Sequence, residues 1–186
     1  MMQWSYDTLL KWGTDELTAH DVENAALDAW YLLEHIYGIS RVDFLMQRSD
    51  SFDAAQMEKS TAYQALIRQR SEGFPVQYLT GSTEFMGLPF FVNEHVLIPR
   101  QDTEVLVETA LSMMKPGCRL LDMCTGSGCI VLSLAKLGTV TWGIGADISK
   151  EALKVAERNR ENLGLSQVKL VHSDLFGSVE GVFDMI

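Results

Sequence analysis

Cysteine, proline, basic side chains and long apolar runs are all scarce in this sequence, and each shortage excludes something. The three cysteines, Cys118, Cys124 and Cys129, are odd in number and fall within twelve residues. Such crowding suits no disulfide framework, and with no histidine near them at ligand spacing there is no zinc site, so no metal is expected. They read as small apolar thiols in a reducing cytosol, which predicts a cytoplasmic protein. Only four prolines occur in a chain that is 47% hydrophobic, which excludes disorder. The longest charge-free apolar-rich stretches, Met123 to Ala135 and Leu137 to Ala146, are separated by Lys136 and are too short to span a bilayer. The opening MMQWSYDTLL lacks a basic segment followed by an apolar one, so it is no secretory signal. With 15 basic against 25 acidic side chains the net charge is −10. That field argues against a primary binder of nucleic acid or of an anionic membrane.

What is present is enough for one large domain or two small ones. Residues 1–73 read as helices. In DVENAALDAWYLLEHIYG the apolar positions Val22, Ala25, Ala26, Ala29, Leu33, Ile36 and Tyr37 form a helical stripe, with Asp21 placed to cap it and Gly38 to end it. A second helical segment starts after Asp53 and stops at Gly73 and Pro75. This half carries no metal-ligand spacing, nucleophile elbow or phosphate loop, and it reads as a helical domain for docking or scaffolding. Residues 74–100 change period. Short β-prone runs at Gln77 to Leu79, Glu84 to Met86, Phe90 to Val92 and Val96 to Ile98 predict a β-hairpin connector. A helix follows, with Asp102 or Thr103 as its cap.

Residues 101–186 are expected to be α/β. The runs CRLLDMC, VTWGIGADI and VKLVHSDL are strands, CIVLSLAKLG and SKEALKVAERNRENLG are helices, and Ser149 and Gly164 cap and stop the second helix. Strands alternating with helices predict a parallel, doubly wound sheet. The final VFDMI reads as the start of a fourth strand. Three and a half strands leave open edges and an uncovered face, so the chain is expected to be the front part of a longer protein and to self-associate by itself.

In such a sheet, ligands bind at the carboxyl ends of the strands. Gly126 and Gly128 sit at the first of these ends, flanked by Thr125 and Ser127. A dinucleotide fingerprint wants a third glycine where Val131 stands, which counts against a nicotinamide dehydrogenase. Asp147 ends the second strand and suits either a ribose diol or a helix cap. Asp174 ends the third, where it suits either an adenine amino group or a turn. As a set at successive strand ends, the glycine turn and the two acids describe a nucleoside pocket. Arg100 is open between a pocket-edge anion contact and a role at the helix entry. His20, His35, His95 and His172 are scattered, and no catalytic triad or paired carboxylate stands out.

LLDMCTGSGCIVLSLA, followed by ADIS and HSDLF, resembles the S-adenosylmethionine-dependent methyltransferases. The connector PVQYLTGSTEFMGLPFFVNEHVLIPRQDTEVLVE looks like one branch of them, the PrmC/HemK family that methylates glutamine in peptide-chain release factors. The helical first part matches that family in length and position. The resemblance implies a Rossmann-like domain with the methionine end of the cofactor against Cys124, Thr125, Gly126, Ser127 and Gly128. It also implies the ribose on Asp147 and the adenine near Asp174 and Leu175. The family usually has glycine where Cys124 stands, and more often proline than Gln101. Its Asn-Pro-Pro-Tyr motif, which holds the glutamine amide, is expected just beyond Ile186, so no catalytic residue is assigned and the chain by itself is expected to be inactive. A release factor is the implied partner, with no direct contact to nucleic acid or membrane. Rival readings are a nucleic-acid amino-group methyltransferase, which the acidic charge disfavours, and a non-catalytic nucleoside-binding or interaction module.

Overall fold

The computed structural model describes residues 3–186. The chain forms two compact units that divide between Thr80 and Gly81.

The first unit is helical, with α1 (Tyr6–Ala19), α2 (Ala25–Tyr37), α3 (Arg41–Gln47), α4 (Ala54–Ser71) and α5 (Val76–Thr80). Asp53 opens α4 as expected, in a reciprocal capping box with Gln56. Asp21 does not cap α2, which starts after Asn24. It terminates α1 instead: the Val22 N–H returns to the Leu17 carbonyl and the Asp21 N–H to that of Thr18, with Asp21 left-handed at φ +57°. This is a Schellman ending in which aspartate takes the place usually filled by glycine. Gly38 ends α2 in the left-handed region, as expected.

Gln77 to Leu79 is helix rather than strand. Pro75 opens the turn by accepting from the Tyr78 and Leu79 N–H groups, and Val76 and Leu79 pack on the helical core. Tertiary burial outweighs the β propensity of a three-residue run. At the centre of that core, Leu9, Leu17, Leu32, Leu33, Tyr63 and Ile67 are fully buried. Arg70 Nε donates to Asp28 at 2.7 Å beside it.

The second unit begins with a hairpin of β1 (Ser82–Phe85) and β2 (Leu88–Phe91), paired antiparallel. Its two-residue turn, Met86-Gly87, has both φ values positive, the tight geometry that matches strand twist. Val96 to Ile98 forms no strand; Val96 instead closes a turn onto the Asn93 carbonyl. Helix α6 (Gln101–Met113) starts after Arg100, so Asp102 lies in its first turn rather than at the cap, and neither it nor Thr103 caps it.

The remainder alternates: β3 (Cys118–Met123), α7 (Cys129–Leu137), β4 (Val140–Asp147), α8 (Lys150–Leu163) and β5 (Val168–His172), then a 3-10 turn at Leu175–Ser178. The three strands are parallel in the order β3-β4-β5, the α/β architecture expected. Ser149 caps α8 and Gly164 ends it, both as anticipated. In place of a fourth strand, VFDMI contributes one isolated parallel bridge, Met185 beside Leu120. Since Leu120 also pairs with Gly143 on β4, the chain has crossed to the opposite edge of β3. The strand order therefore reverses at β3, the kind of switch point where open α/β sheets bind ligands. Arg119 secures this crossing with a two-pronged ion pair to Asp184, both contacts at 2.9 Å, and that guanidinium lowers the Asp184 pKa to about 2.

Helices α6, α7 and α8 share a core with Phe85 and Phe90 of the hairpin. The opposite face carries Leu121, Ile144 and Ala146, against which Trp142 and Phe183 pack edge to face. Among the described residues, no helix is long and apolar enough to cross a membrane.

Gly13 is where α1 approaches α4: a Cβ there would lie 2.1 Å from the Tyr63 hydroxyl, which itself donates to the Ala29 carbonyl. Alanine favours a helix by about 1 kcal/mol over glycine, but the clash falls on a fully buried, hydrogen-bonded ring. Gly13→Ala is expected to destabilise the protein by about 1–3 kcal/mol, measured as a lower urea midpoint with unchanged slope.

Candidate functional site

The three parallel strands end together. Met123 is opposite Ala146, and Asp147 is opposite His172. From this shared rim, residues 124–128 carry β3 into α7. Cys124, Gly126 and Gly128 are all left-handed, at φ +58°, +56° and +79°. A non-glycine residue in that region costs about 1–2 kcal/mol, so Cys124 follows the path that neighbouring anchors impose. Cys124 is exposed, unlike the buried Cys118 and half-buried Cys129, so it does not pack as the small apolar side chain expected. Gly128 answers a spatial demand as well: a Cβ would sit 2.9 Å from Leu132 and 3.3 Å from Ala156, where α7 and α8 meet. The close approach of α7 to α8 therefore relies on Gly128, while Val131 is a fully buried core residue.

Two carboxylates hold the loop. Asp122, buried at the end of β3, accepts from the Thr125 hydroxyl at 2.6 Å and from the Val131 N–H at 3.3 Å, both on Oδ2. Burial pushes its pKa up, these two hydrogen bonds oppose the shift, and the nearby charge of Asp147 adds to it. Asp147 Oδ2 accepts from the Gly126 N–H at 2.9 Å, and Oδ1 from the Ser149 N–H at 2.9 Å. The alternative reading of Asp147 as the cap of α8 is excluded, because Ser149 Oγ takes the Ala152 N–H. The strands are tied backbone to backbone as well, Thr125 N–H to the Ala146 carbonyl and Ser173 N–H to the Asp147 carbonyl.

Asp174 precedes the 3-10 turn with an exposed side chain that makes no capping hydrogen bond. Only its carbonyl serves the turn, by accepting from the Gly177 N–H. Leu175 is left-handed at φ +47°. Ser173 shapes this corner: its hydroxyl donates to the Leu175 carbonyl at 2.6 Å and accepts from the Ser178 N–H at 2.9 Å. Ile148, Leu175 and Phe176 follow the two acids and are 65%, 62% and 61% exposed, an apolar fringe to a polar rim.

The structure thus brings Cys124, Thr125, Gly126, Ser127, Gly128, Asp147, Asp174 and Leu175 to one end of one sheet. Arg100 stands apart: it precedes α6 with an exposed side chain, and no hydrogen bond ties it to the loop. Among the described residues, no cluster suits a metal ion. Sequence reasoning missed Asp122, although an acid three residues before Thr125 is spaced for their hydrogen bond. It also missed Gly145, a glycine inside a strand, where a Cβ would meet Thr125 Oγ1 at 2.9 Å.

Asp122 yields a contrast between two substitutions. Its raised pKa means that the folded state binds the proton more tightly, so its charged form lowers stability as pH rises past the ordinary carboxylate range. Asp122→Asn keeps an acceptor for Thr125 and removes that charge, so its thermal midpoint at neutral pH should equal or exceed the parent's. Asp122→Leu strands the Thr125 hydroxyl and the Val131 N–H and should cost about 1–3 kcal/mol by denaturant titration.

Comparison with known proteins follows the same division. Residues 8–81 match the family model described as PrmC N-terminal domain, and residues 114–186 match a methyltransferase domain. The chain is 39% identical to a release factor glutamine methyltransferase of Rhodopirellula baltica, covering 98% of this chain and 64% of that protein. It is 41% identical to the protein of that name from Leptospira interrogans, over 96% of this chain and 64% of the relative. For the Escherichia coli protein so named the identity is 38%, over 86% and 57%. The chain therefore spans roughly three fifths of the length of these relatives. Among solved structures, a ribosomal protein L11 methylase from Lactobacillus delbrueckii subsp. bulgaricus is 30% identical, with a TM-score of 0.42 over 46% of this chain and 45% of its own, too loose a likeness to argue from. The helical unit, the methyltransferase-domain match and the named relatives agree, and the chain belongs to the release factor glutamine methyltransferase (PrmC/HemK) family.

Proposed function

We propose that this chain binds S-adenosylmethionine at the strand-end rim, and that the protein carrying it methylates the side-chain amide of a glutamine in a peptide-chain release factor. One observation carries the reading: the Gly126 N–H bonded to Asp147, which draws the glycine loop and the acid of the next strand into one pocket. Each Asp147 oxygen accepts one backbone N–H and so keeps a second lone pair, which suits it to the two hydroxyls of a ribose. Asp174 has a free-standing carboxylate for an exocyclic amino group. Ile148 and Leu175 offer apolar surface to the faces of a base. The residues present therefore fit a nucleoside with a short polar tail.

When bound, S-adenosylmethionine supplies an electrophilic methyl group on a sulfonium sulfur. In this reading, the backbone of residues 124–128 orients the methionine end, and Cys124 contributes its main chain while its side chain points away or yields. Asp147 and Asp174 fix the nucleoside, so that the methyl direction is set before any substrate arrives. Residues 1–73 dock the protein substrate, 74–100 connect, and 101–186 hold the cofactor. A cytoplasmic location and a protein rather than nucleic-acid substrate complete the proposal, supported by three free cysteines and by the net charge of −10.

Calorimetric titration with S-adenosylhomocysteine tests the binding half. Micromolar affinity is expected, falling at least about tenfold in Asp147→Ala, the scale of one lost charge-assisted hydrogen bond. Asp147→Asn, which retains an acceptor for the loop, guards against loop collapse and should also bind weakly. Parent-like affinity in both variants would sink the assignment.

A further inference from the structure

Asn159 lies on the inner side of α8, fully buried. Its Oδ1 accepts from the Phe91 N–H at 2.7 Å, while its Nδ2 donates to the Phe91 carbonyl at 3.0 Å and to the Ser127 carbonyl at 2.9 Å. An amide side chain has two N–H donors, and both are engaged. The pair with Phe91 is what a neighbouring strand would make, so Asn159 extends the ladder at the last residue of β2. The adjacent Arg158 lies over the Phe91 ring, 3.7 Å from its centroid, and grips the same residue from outside the network.

The third hydrogen bond reaches the site. The Ser127 carbonyl and the Gly128 N–H belong to one planar peptide and point in opposite directions. Holding the carbonyl toward Asn159 therefore aims the Gly128 N–H at the Thr125 carbonyl, where it closes the turn at 2.8 Å. Asp122 and Asp147 fix the loop from the strand side. Asn159 fixes it from the helix side and ties the loop to the hairpin.

We infer that Asn159 is the positioning residue that locks the glycine loop to the β1–β2 hairpin, so that loss of its amide loosens both elements together. Its consequence for ligand affinity rests on the cofactor reading above; the coupling itself does not. Only an amide satisfies the site. Aspartate has the same shape and still accepts from Phe91 N–H, but as a carboxylate it donates to neither carbonyl. Leucine fills the space and leaves all three backbone groups unpaired.

Amide hydrogen exchange on the full chain separates this role from packing. In Asn159→Asp, exchange should rise at least about tenfold at both Gly128 and Val92, whose N–H closes the hairpin on the Gly81 carbonyl, while β4–β5 amides such as Leu170 stay near parental rates. Arg158→Ala should loosen the hairpin and leave Gly128 protected. Parental exchange at Gly128 in a folded Asn159→Asp protein would overturn the inference, because shape alone would then suffice. Should the aspartate or leucine variant unfold, Arg158→Ala still decides, since equal loosening of Gly128 there would mean that packing, and not the amide, joins the two elements. S-adenosylhomocysteine is titrated in parallel, with affinity expected to drop about tenfold in Asn159→Asp and to hold in Arg158→Ala. If the parent itself binds none, the cofactor reading fails, while the exchange data still judge the coupling.

Discussion

The hydrogen bond from the Gly126 N–H to the Asp147 carboxylate is the constraint on which the rest of the site depends. It joins the end of β4 to the glycine at the middle of the loop. Two hydrogen bonds brace it from below, Thr125 to Asp122 and Thr125 N–H to the Ala146 carbonyl. Asn159 braces it from the helix side. Because the strands end in register, each anchor acts at the same height on the sheet, and the rim is a property of the topology as much as of any side chain. The reversal of strand order at β3 opens the crevice above it.

Burying Asp122 beside Asp147 has an energetic cost, visible as the raised pKa of Asp122, which burial raises most and the Asp147 charge least. The donors around them offset it. Asp122 receives a hydroxyl and an amide, and Asp147 receives two amides, so neither is an uncompensated charge. The backbone bears its own strain at Cys124, a non-glycine residue in the left-handed region at φ +58°. That a cysteine follows the left-handed path shows how firmly the anchors determine the loop.

Much of this was legible in the sequence because it rests on local chemistry. Ser149, Gly164, Gly38 and Asp53 act at helix ends where their own side chains or φ preferences decide. The strand–loop–helix alternation is written in apolar runs long enough to be unambiguous, and the acids at strand ends follow from it. What was not legible depends on contacts distant along the chain. Gln77 to Leu79 became helix through burial against the helical core, and Asp21 was recruited by the preceding helix. Asn159 looks like any polar residue of an amphipathic helix until Phe91, 68 positions away, is brought against it. Gly145 is meaningful only once Thr125 lies over it.

The central claim is that the shared strand ends of β3, β4 and β5 form a nucleoside pocket. Chemical-shift mapping of the isotope-labelled chain with S-adenosylhomocysteine tests it most directly. The account predicts that the largest amide shifts fall in residues 124–128, 147–149 and 173–176. Saturating ligand that leaves these amides unmoved, or that shifts only the helical unit, would contradict it.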